Sequence, residues 1–396
     1  MHDPSIYITA ARRTPMGGFL GALSPLSGPA LGAKAVRAVL ADSGLSADAV
    51  EEVVMGNVLP AGTGQGPARQ AARDGGLPDS AGATTVNKLC GSGMKATMFG
   101  HDLIRAGSAE VVLTGGMESM SNAPYLLTDA RRGYRMGPGR PPQDHMFMDG
   151  LQDAETGRLM GEFAQETADR LGYSREAMDA FAIRSLERAN AAIDNGWLDA
   201  EMVPITQTDR KGNETTVSND EQPGQASIDR IPSMRPAFAK DGTITAANAS
   251  SISDGASALM LMSEAAMERH GSQPLARILG HATFSRHPSE FTLAPVGAIQ
   301  RLLERTGWST QDVDLYEINE AFAVVSMIAM DDLGLAPEKV NIHGGACAQG
   351  HPIGSTGSRL IVSLIHALRR SGGRRGIASL CIGGGEATAV AIELCD

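Results

Sequence analysis

The sequence predicts an α/β protein built from two similar units, with a region of different character inserted in the first. Strand and helix patterns alternate in two blocks, one toward each end of the chain, and their elements follow the same order. The segment between the blocks is richer in Arg, Pro and Asp. A chain of 396 residues, 42% hydrophobic and 20% charged, is typical of a soluble enzyme with two or three domains.

The elements of both blocks are predicted from apolar periodicity and from glycine-rich turns. In the first block we expect a strand at 6–9, a helix at 31–43, a strand at 53–54, a strand-to-helix turn within "TTVNKLCGSGMKA" and a strand ending at Gly116. In the last block we expect a helix at 296–306, a strand "LYEIN", a helix from Ala321, a Gly-rich turn, a helix ending at Arg370 and a strand "IASLCIGGG".

Individual residues also match between the blocks. Gly32 corresponds to Gly297 and Val50 to Val313, and "VNKLCGSG" corresponds to "VNIHGGACAQGHPIGSTG". These matches indicate an internal duplication, in which two similar α/β units pack together.

The intervening region carries a predicted helical pair, near 158–172 and 174–195. After it, "ASALMLMS" at 256–263 resumes the pattern of a buried strand. We therefore divide the chain into a first unit of residues 1–118 and 247–270, an inserted loop domain of residues 119–246, and a second unit of residues 271–396.

Charge and composition exclude several functions. A net charge of -11 argues against nucleic acid and anionic membrane surfaces as partners, because both require a basic face. No apolar stretch reaches the roughly 18 residues needed to cross a bilayer, and the start lacks a targeting pattern. We expect a cytoplasmic protein whose four cysteines, which show no disulfide spacing, are reduced thiols.

Cys90 is the first candidate for catalysis. It falls at the predicted N-terminus of a helix, where backbone N–H groups and the helix dipole favour an anion and should lower the pKa of the thiol. Gly91 and Gly93 leave room for a substrate carbonyl to reach the sulfur. For an isolated cysteine, however, a buried structural role is the commoner one.

Two histidines and a cysteine share the stretch "HGGACAQGHPIGSTG". The spacing of His343, Cys347 and His351 could place metal ligands on one helical face, but the glycines and Pro352 make a continuous helix there improbable. His351 is better placed as a base or an oxyanion donor. The alternative is a loop histidine that bonds only to backbone.

Two further residues have a catalytic and a structural interpretation. Cys381 closes the strand in "SLCIGGG" and could shuttle a proton, or it could be a core cysteine at the end of a strand. Asn319 in "INEAFA" could cap a helix or anchor a water molecule.

Together the motifs resemble those of the thiolase family over essentially the whole chain. "VNKLCGSGMKA", "GGMESMSNAPY", "NEAF", "GGACAQGHPIGSTG" and "CIGGG" occur in the family's order and spacing. The resemblance implies the thiolase fold, in which two duplicated α/β units pack in a layered αβαβα arrangement and an inserted loop domain covers the site. It also favours the catalytic interpretation of Cys90, His351, Cys381 and Asn319.

The resemblance implies a role for each of these residues in condensing two acyl-CoA thioesters. Cys90 would accept the acetyl group with help from His351, and Cys381 would remove the α-proton of the second acetyl-CoA. His351 and a water on Asn319 would hold the enolate oxygen, while the backbone N–H groups of Cys90 and Gly383 would hold the thioester oxyanion. The reaction would need no metal and no bound cofactor beyond its acyl-CoA substrates.

The resemblance also implies substrate contacts. Ser250 matches a serine near the pantetheine arm, Met160 matches the family, and Ala321 and Phe322 belong to the "NEAF" motif. Leu159 departs from the family, because many biosynthetic thiolases have histidine there.

Two other departures concern the acyl group and the nucleotide. "FTLAP" replaces a commoner loop with methionine and glycine, so Phe291 would narrow the acyl end. The stretch around Gly224 lacks the family's usual arginine, and Arg230 is a possible substitute.

The narrowed acyl end favours a small acyl group and hence an acetyl-CoA C-acetyltransferase. The main alternative is a 3-ketoacyl-CoA thiolase of broader chain length. Two other classes are less favoured. A related decarboxylating synthase usually has no second catalytic cysteine, so Cys381 argues against it. A non-catalytic CoA-binding homologue would not need all four reactive residues, which are present here. The resemblance further implies a homotetramer, a dimer of dimers, with the stretch around Arg69 and "GGMESMSNAP" near the dimer contact.

Overall fold

A computed structural model describes residues 5–208 and 211–395. Its strands are β1 (Ile6–Arg13), β2 (Gly17–Gly18), β3 (Glu52–Gly56), β4 (Gly82–Val86), β5 (Val111–Ser119), β6 (Tyr125–Leu126), β7 (Gln143–Asp144), β8 (Ile205–Thr208), β9 (Glu214–Val217), β10 (Ser253–Ser263), β11 (Ala276–Ser285), β12 (Leu315–Ile318), β13 (Arg375–Ile382) and β14 (Glu386–Leu394). Its α-helices are α1 (Gly28–Ser43), α2 (Pro67–Asp74), α3 (Ser92–Arg105), α4 (Met160–Leu171), α5 (Arg175–Asp194), α6 (Glu264–His270), α7 (Ala294–Thr306), α8 (Ala323–Leu333), α9 (Ala346–Gln349) and α10 (Thr356–Ser371).

The main sheet consists of two halves with the same strand order. In the first half, β3 pairs with β5 in parallel, and β5–β10 and β10–β1 are antiparallel. In the second half, β12–β13 is parallel, and β13–β14 and β14–β11 are antiparallel. The halves meet through two antiparallel residue pairs between β1 and β11. The repeated pairing scheme confirms the internal duplication.

Helices cover both halves of the sheet and also fill the space between them. The outward residue Val53 of β3 packs with α1 and α2, whereas its neighbour Val54 packs with α3 and α10. Helix α10 contacts strands of both halves, and α7 and α8 cover the far face of the second half. Because successive strand residues point to opposite faces, each strand contributes to two cores. The resulting layers are αβαβα, as predicted.

The predicted elements are present, with shifted ends. Helix α1 begins three residues earlier than expected, because the Ser27 hydroxyl caps it by accepting a hydrogen bond from Ala30 N. The helix expected from Ala321 begins at Ala323. The helical pair of the inserted region is α4 and α5. Helices α2, α6 and α9 and strands β2, β6, β7, β8, β9, β11 and β14 were not predicted.

The chain returns to the first half of the sheet after the inserted region. Strand β10 lies between β1 and β5, as the predicted insertion requires. The boundaries of the three predicted regions stay a prediction. Among the described residues, no helix has the length and apolar character that a membrane span requires.

Candidate active site

Cys90 lies in a tight turn between β4 and α3. Leu89 adopts a φ of 48°, a left-handed conformation that is uncommon for a side chain of its size. Lys88 N donates to Ser92 Oγ at 2.8 Å, and Ser92 Oγ donates to Leu89 O at 2.7 Å. These bonds hold the turn, so Cys90 sits just ahead of Gly91, the N-cap of α3.

His351 lies in the loop that leads into α10, and its hydrogen bonds indicate its tautomer. Its Nδ1 lies 2.7 Å from Thr356 Oγ1, and that hydroxyl donates to Pro352 O at 3.0 Å. Because the hydroxyl proton is already used, Thr356 Oγ1 accepts from Nδ1–H. His351 Nε2 therefore carries a lone pair, and it is buried without a hydrogen-bond partner among the described residues.

Close contact between two helix starts brings Cys90 and His351 together. A Cβ on Gly93 would lie 2.5 Å from Ser358 Oγ and 2.8 Å from Ser358 N, and a Cβ on Gly357 would lie 2.4 Å from Met94 N. Only glycine permits this approach. The turn before α3 and the loop before α10 consequently meet at the junction of the two halves.

Cys381 and Gly383 approach the same place from the end of β13. Cys381 is the penultimate residue of the strand and is buried. Gly383 follows the strand, where a Cβ would lie 3.2 Å from Leu89 and 3.5 Å from Met160 Sδ. The strand end thus lies against both the Cys90 turn and the start of α4.

The substrate residues predicted near "NEAF" are linked by backbone pairing. Ser250 N donates to Ala321 O at 2.9 Å, and Ala323 N donates to Asn248 O at 2.8 Å. Phe322 contacts Phe291 edge-on, with ring centroids 6.2 Å apart.

All but one of the predicted site residues line one mostly apolar cavity of about 230 Å³. They are Cys90, His351, Cys381, Gly383, Ser250, Leu159, Met160, Phe291, Ala321 and Phe322. The other lining residues, which were not singled out as site residues, are Met120, Phe147, Gly150, Leu151, Gly161, Phe238, Ala249, Ser251, Ile252 and Ile353. A single cavity that joins two thiols and an imidazole is suited to acyl transfer.

Asn319 is the exception, because it does not line the cavity. Its side chain is fully buried, and neither Oδ1 nor Nδ2 has a hydrogen-bond partner among the described residues. The interpretation of Asn319 as a helix cap is wrong, since Phe322 is the N-cap of α8. Two unpaired polar atoms in one buried side chain indicate a place for an ordered water.

The expected low pKa of Cys90 is wrong. Burial raises the pKa of its thiol to about 11, and the charge of Glu118 acts in the same direction. Hydrogen bonds from the N–H groups of Gly383 and of Cys90 itself only partly offset this rise. Desolvation of the thiolate therefore outweighs the helix N-terminus.

The other reactive groups also rest in their neutral forms. Burial, followed by the charge of Arg359, lowers the pKa of His351 to about 3. Burial raises the pKa of Cys381 well above its usual value, and the negative charge of a Cys90 thiolate raises it further. At neutral pH the site holds two thiols and an uncharged imidazole.

A buried carboxyl group beside the site was also missed. Glu118 accepts hydrogen bonds from Val58 N at 2.9 Å, Leu59 N at 3.1 Å and Asn57 Nδ2 at 2.6 Å. Burial raises its pKa to about 7, against these bonds. Its signal in the sequence is the single acidic residue in the apolar strand "VVLTGGMES".

The other two residues of the histidine-rich stretch have structural contacts. His343 Nε2 accepts from Arg370 Nε at 2.7 Å, and Cys347 N donates to Glu320 Oε2 at 3.1 Å. Arg230 lies in the turn Ile228–Ser233, and its predicted contact with the nucleotide stays a prediction.

Comparisons with known proteins agree with this geometry. The family description "Thiolase, N-terminal domain" matches residues 6–265, and "Thiolase, C-terminal domain" matches residues 272–394. The chain is 45% identical to an acetyl-CoA acetyltransferase of Pseudomonas aeruginosa, covering 98% of each chain. It is 44% identical to acetyl-CoA acetyltransferase IA of Candida tropicalis, covering 99% of this chain and 98% of that one.

A solved structure is similar over the same length. The crystal structure of Acat5 thiolase from Ascaris suum in complex with coenzyme A has a TM-score of 0.93 and 38% sequence identity, covering 99% of this chain and 100% of that one. The likeness extends over both halves of the sheet and the inserted region. The chain belongs to the thiolase family.

Proposed function

We propose that the chain is an acetyl-CoA C-acetyltransferase, which reversibly condenses two acetyl-CoA molecules to acetoacetyl-CoA and CoA. The observation that carries this proposal is the cavity onto which Cys90, His351 and Cys381 all open. The names of the relatives from Pseudomonas and Candida support the same reaction.

In the first step, Cys90 takes the acetyl group. His351 Nε2 carries a lone pair and accepts the thiol proton as Sγ attacks the thioester carbonyl. The N–H groups of Cys90 and Gly383 stabilise the oxyanion that forms. His351 then returns the proton to the departing sulfur, and CoA leaves as the thiol.

In the second step, Cys381 removes an α-proton from the second acetyl-CoA. While Cys90 carries the acetyl group it cannot form a thiolate, so no second negative charge opposes the ionisation of Cys381. The proton that Cys381 first loses moves to His351 Nε2. The enolate carbon then attacks the acetyl carbonyl on Cys90, and the Cys90 thiolate leaves and takes the proton back from His351 Nε2.

Two groups hold the enolate oxygen during this step. The protonated Nε2 of His351 donates one hydrogen bond, and a water held by Asn319 donates the second. The unpaired, fully buried amide of Asn319 supports this water. Each step develops negative charge on a different oxygen, so two separate donor sets are needed.

The aromatic end of the cavity supports a small acyl group. Phe322 makes edge contacts with Phe238 and Phe291, with centroid distances of 6.0 Å and 6.2 Å. We place these rings at the acyl end of the cavity, where they would limit the length of the group on the thioester. A 3-ketoacyl-CoA thiolase of broader chain length remains the alternative, and relative rates with acetoacetyl-CoA and a long 3-ketoacyl-CoA distinguish the two.

Mass spectrometry of the acetylated protein, beside a condensation assay, tests the mechanism. Wild type should gain one acetyl group from acetyl-CoA. The Cys90→Ala variant should gain none, and it should lose activity in both the condensation and the thiolysis direction. The Cys381→Ala variant should still be acetylated, while condensation falls by roughly 10²- to 10⁴-fold. Equal losses of acetylation and condensation in Cys381→Ala would contradict the assignment of Cys381 as the base.

We also infer how the enzyme assembles and operates. The described residues of β4 pair with β3 alone, so this sheet edge can accept a second chain. Exposed apolar side chains around β6 offer a second contact, and two such contacts give a homotetramer.

The reaction uses acyl-CoA substrates without a metal or redox cofactor in the cavity, and we place it in cytoplasmic fatty acid metabolism.

A further inference from the structure

Three side chains that do not line the catalytic cavity converge between α3 and β11. His101 and Asp102 are consecutive residues of α3, and His281 lies on β11 in the second half of the sheet. One potential ligand atom from each lies within 4.8 Å of the others.

Two of the three spacings between the ligand atoms of this cluster are close to those of a metal site, and the third is at most 4.8 Å. His101 Nδ1 and His281 Nε2 lie 3.1 Å and 2.8 Å from Asp102 Oδ1. Ligands that bind zinc at 2.0–2.2 Å in a tetrahedron are roughly 3.3 Å apart. The two imidazole planes are at 89° to each other, with centroids 5.0 Å apart, so the nitrogens approach from different directions.

Burial makes the two histidines fixed ligands and leaves the carboxylate open to solvent. The side chains of His101 and His281 are 7% and 16% exposed, whereas that of Asp102 is 49% exposed. An ion can therefore enter past Asp102, and a water can complete four-coordination. A His–Asp–His hydrogen-bonded cluster is the structural alternative, and the charge of Lys95, which acts on His281, opposes a cation.

We propose that His101, Asp102 and His281 bind one zinc-type divalent cation per chain. Two imidazoles and one carboxylate favour Zn²⁺ and the neighbouring late transition metals over Mg²⁺, which prefers an all-oxygen environment. The ion joins α3, which begins just after the Cys90 turn, to the second half of the sheet. It stabilises the junction between the halves and takes no part in acyl transfer.

Calorimetric titration of the full-length protein with Zn²⁺ tests the site. Wild type and Cys90→Ala should both bind one equivalent, which separates this site from the catalytic thiol. His281→Gln and Asp102→Asn should bind at least tenfold more weakly, while His270→Gln, at an exposed histidine on α6, should bind as wild type does. Mg²⁺ should not compete.

Thermal unfolding gives a second readout that does not depend on activity. Zn²⁺ should raise the Tm of wild type and of His270→Gln, and leave that of Asp102→Asn unchanged. Asp102 is half exposed, so this variant should fold even if His281→Gln does not. The proposal would be overturned if Asp102→Asn bound Zn²⁺ as tightly as wild type does, or if Cys90→Ala no longer bound one Zn²⁺ per chain.

Discussion

At the scale of single residues, burial controls the reactivity of Cys90. A thiol with a pKa of about 11 is protonated at neutral pH, so only a small fraction of the free enzyme carries the reactive thiolate. We therefore predict that alkylation of the free enzyme by iodoacetamide accelerates about tenfold per pH unit from pH 7 to 9. Inactivation rates without acetyl-CoA, at several pH values, measure this pH dependence. The same rates at saturating acetyl-CoA show whether the substrate protects the alkylated thiol. A rate that is already level at pH 7 would indicate a preformed thiolate.

Thr356 positions His351 through the tautomer of its ring. Without the hydroxyl, Nδ1–H would be buried and unpaired, which costs about 1–3 kcal/mol, or roughly ten- to hundredfold in rate. We predict this loss in the kcat of Thr356→Val, with little change in KM for acetoacetyl-CoA. Thr356→Ser keeps the hydroxyl and should retain most activity. A change confined to KM would assign Thr356 to substrate binding.

Phe291 limits the length of the acyl group in the proposed reaction. Shortening it to leucine opens the aromatic end of the cavity, so Phe291→Leu should shift the kcat/KM ratio toward a six-carbon 3-ketoacyl-CoA by roughly tenfold. Phe163 is a matched control, because it is buried in the same core without lining the cavity. Phe163→Leu should lose stability only. An unchanged ratio in Phe291→Leu would remove the specificity role.

At the scale of secondary-structure elements, the contact between α3 and α10 sets the geometry of the site. A methyl group on Gly93 would meet the backbone of α10, with Ser358 N at 2.8 Å, so the helices must separate. We predict that Gly93→Ala destabilises the protein by about 1–3 kcal/mol and slows acetylation of Cys90. Denaturant unfolding and single-turnover labelling measure the two effects.

Gly224 provides the control for this variant. Its Cβ would meet only Glu221 O at 3.8 Å, so Gly224→Ala should leave both measurements unchanged. Wild-type stability in Gly93→Ala would show that the helices tolerate the added methyl group.

Strong periodicity made most elements predictable, and weak or interrupted patterns hid others, among them β11, β14 and α2. Strand β11 contains a register shift between Ile278 and Gly280, which breaks the alternation of apolar residues. Strand β14 reads "EATAVAIEL", where small helix-forming residues mask a buried strand. Helix α2 has only eight residues and a glycine N-cap. In all three, long-range pairing and packing outweigh local propensity.

The motifs of the sequence predicted the two cysteines and the histidine that meet in the cavity and part of its lining, but not the rest of its walls or its electrostatics. Cys90, His351 and Cys381 stand in glycine-rich motifs that point to chemistry. Phe147 and Phe238 reach the cavity from the inserted region, where no local pattern marks them. Although Cys90 is only half-buried, the cavity desolvates its thiolate and so sets the sign of the pKa shift, a tertiary property that helix position alone does not give.

At the scale of the whole molecule, duplication places the site where the two halves meet. The first half contributes Cys90 from the turn before α3, and the second contributes His351 from the equivalent loop before α10. Cys381 is the penultimate residue of β13, the counterpart of β5 in the repeated strand order. Neither half holds all three groups, so the proposed mechanism requires the two halves to stay in fixed register.

Assembly is the last property of the whole molecule that we predict. Tyr125 and Leu127 are 68% and 55% exposed beside the short β6–β7 ribbon, an unusual exposure for large apolar side chains. If this surface joins two dimers, placing carboxylates on it should separate them. Light scattering at micromolar concentration should give four times the 41.3 kDa chain mass for wild type and twice that mass for Tyr125→Glu combined with Leu127→Glu.

A control variant on α4 tests whether a carboxylate at any exposed apolar residue separates the subunits, or only one on the surface around β6. Leu171 is 46% exposed at the end of that helix, so Leu171→Glu adds a charge elsewhere and should remain a tetramer. Because the edge of β4 is untouched in the double variant, dissociation should stop at the dimer. A wild-type protein that is monomeric at this concentration would contradict both contacts, and a tetrameric double variant would place the second contact on another surface.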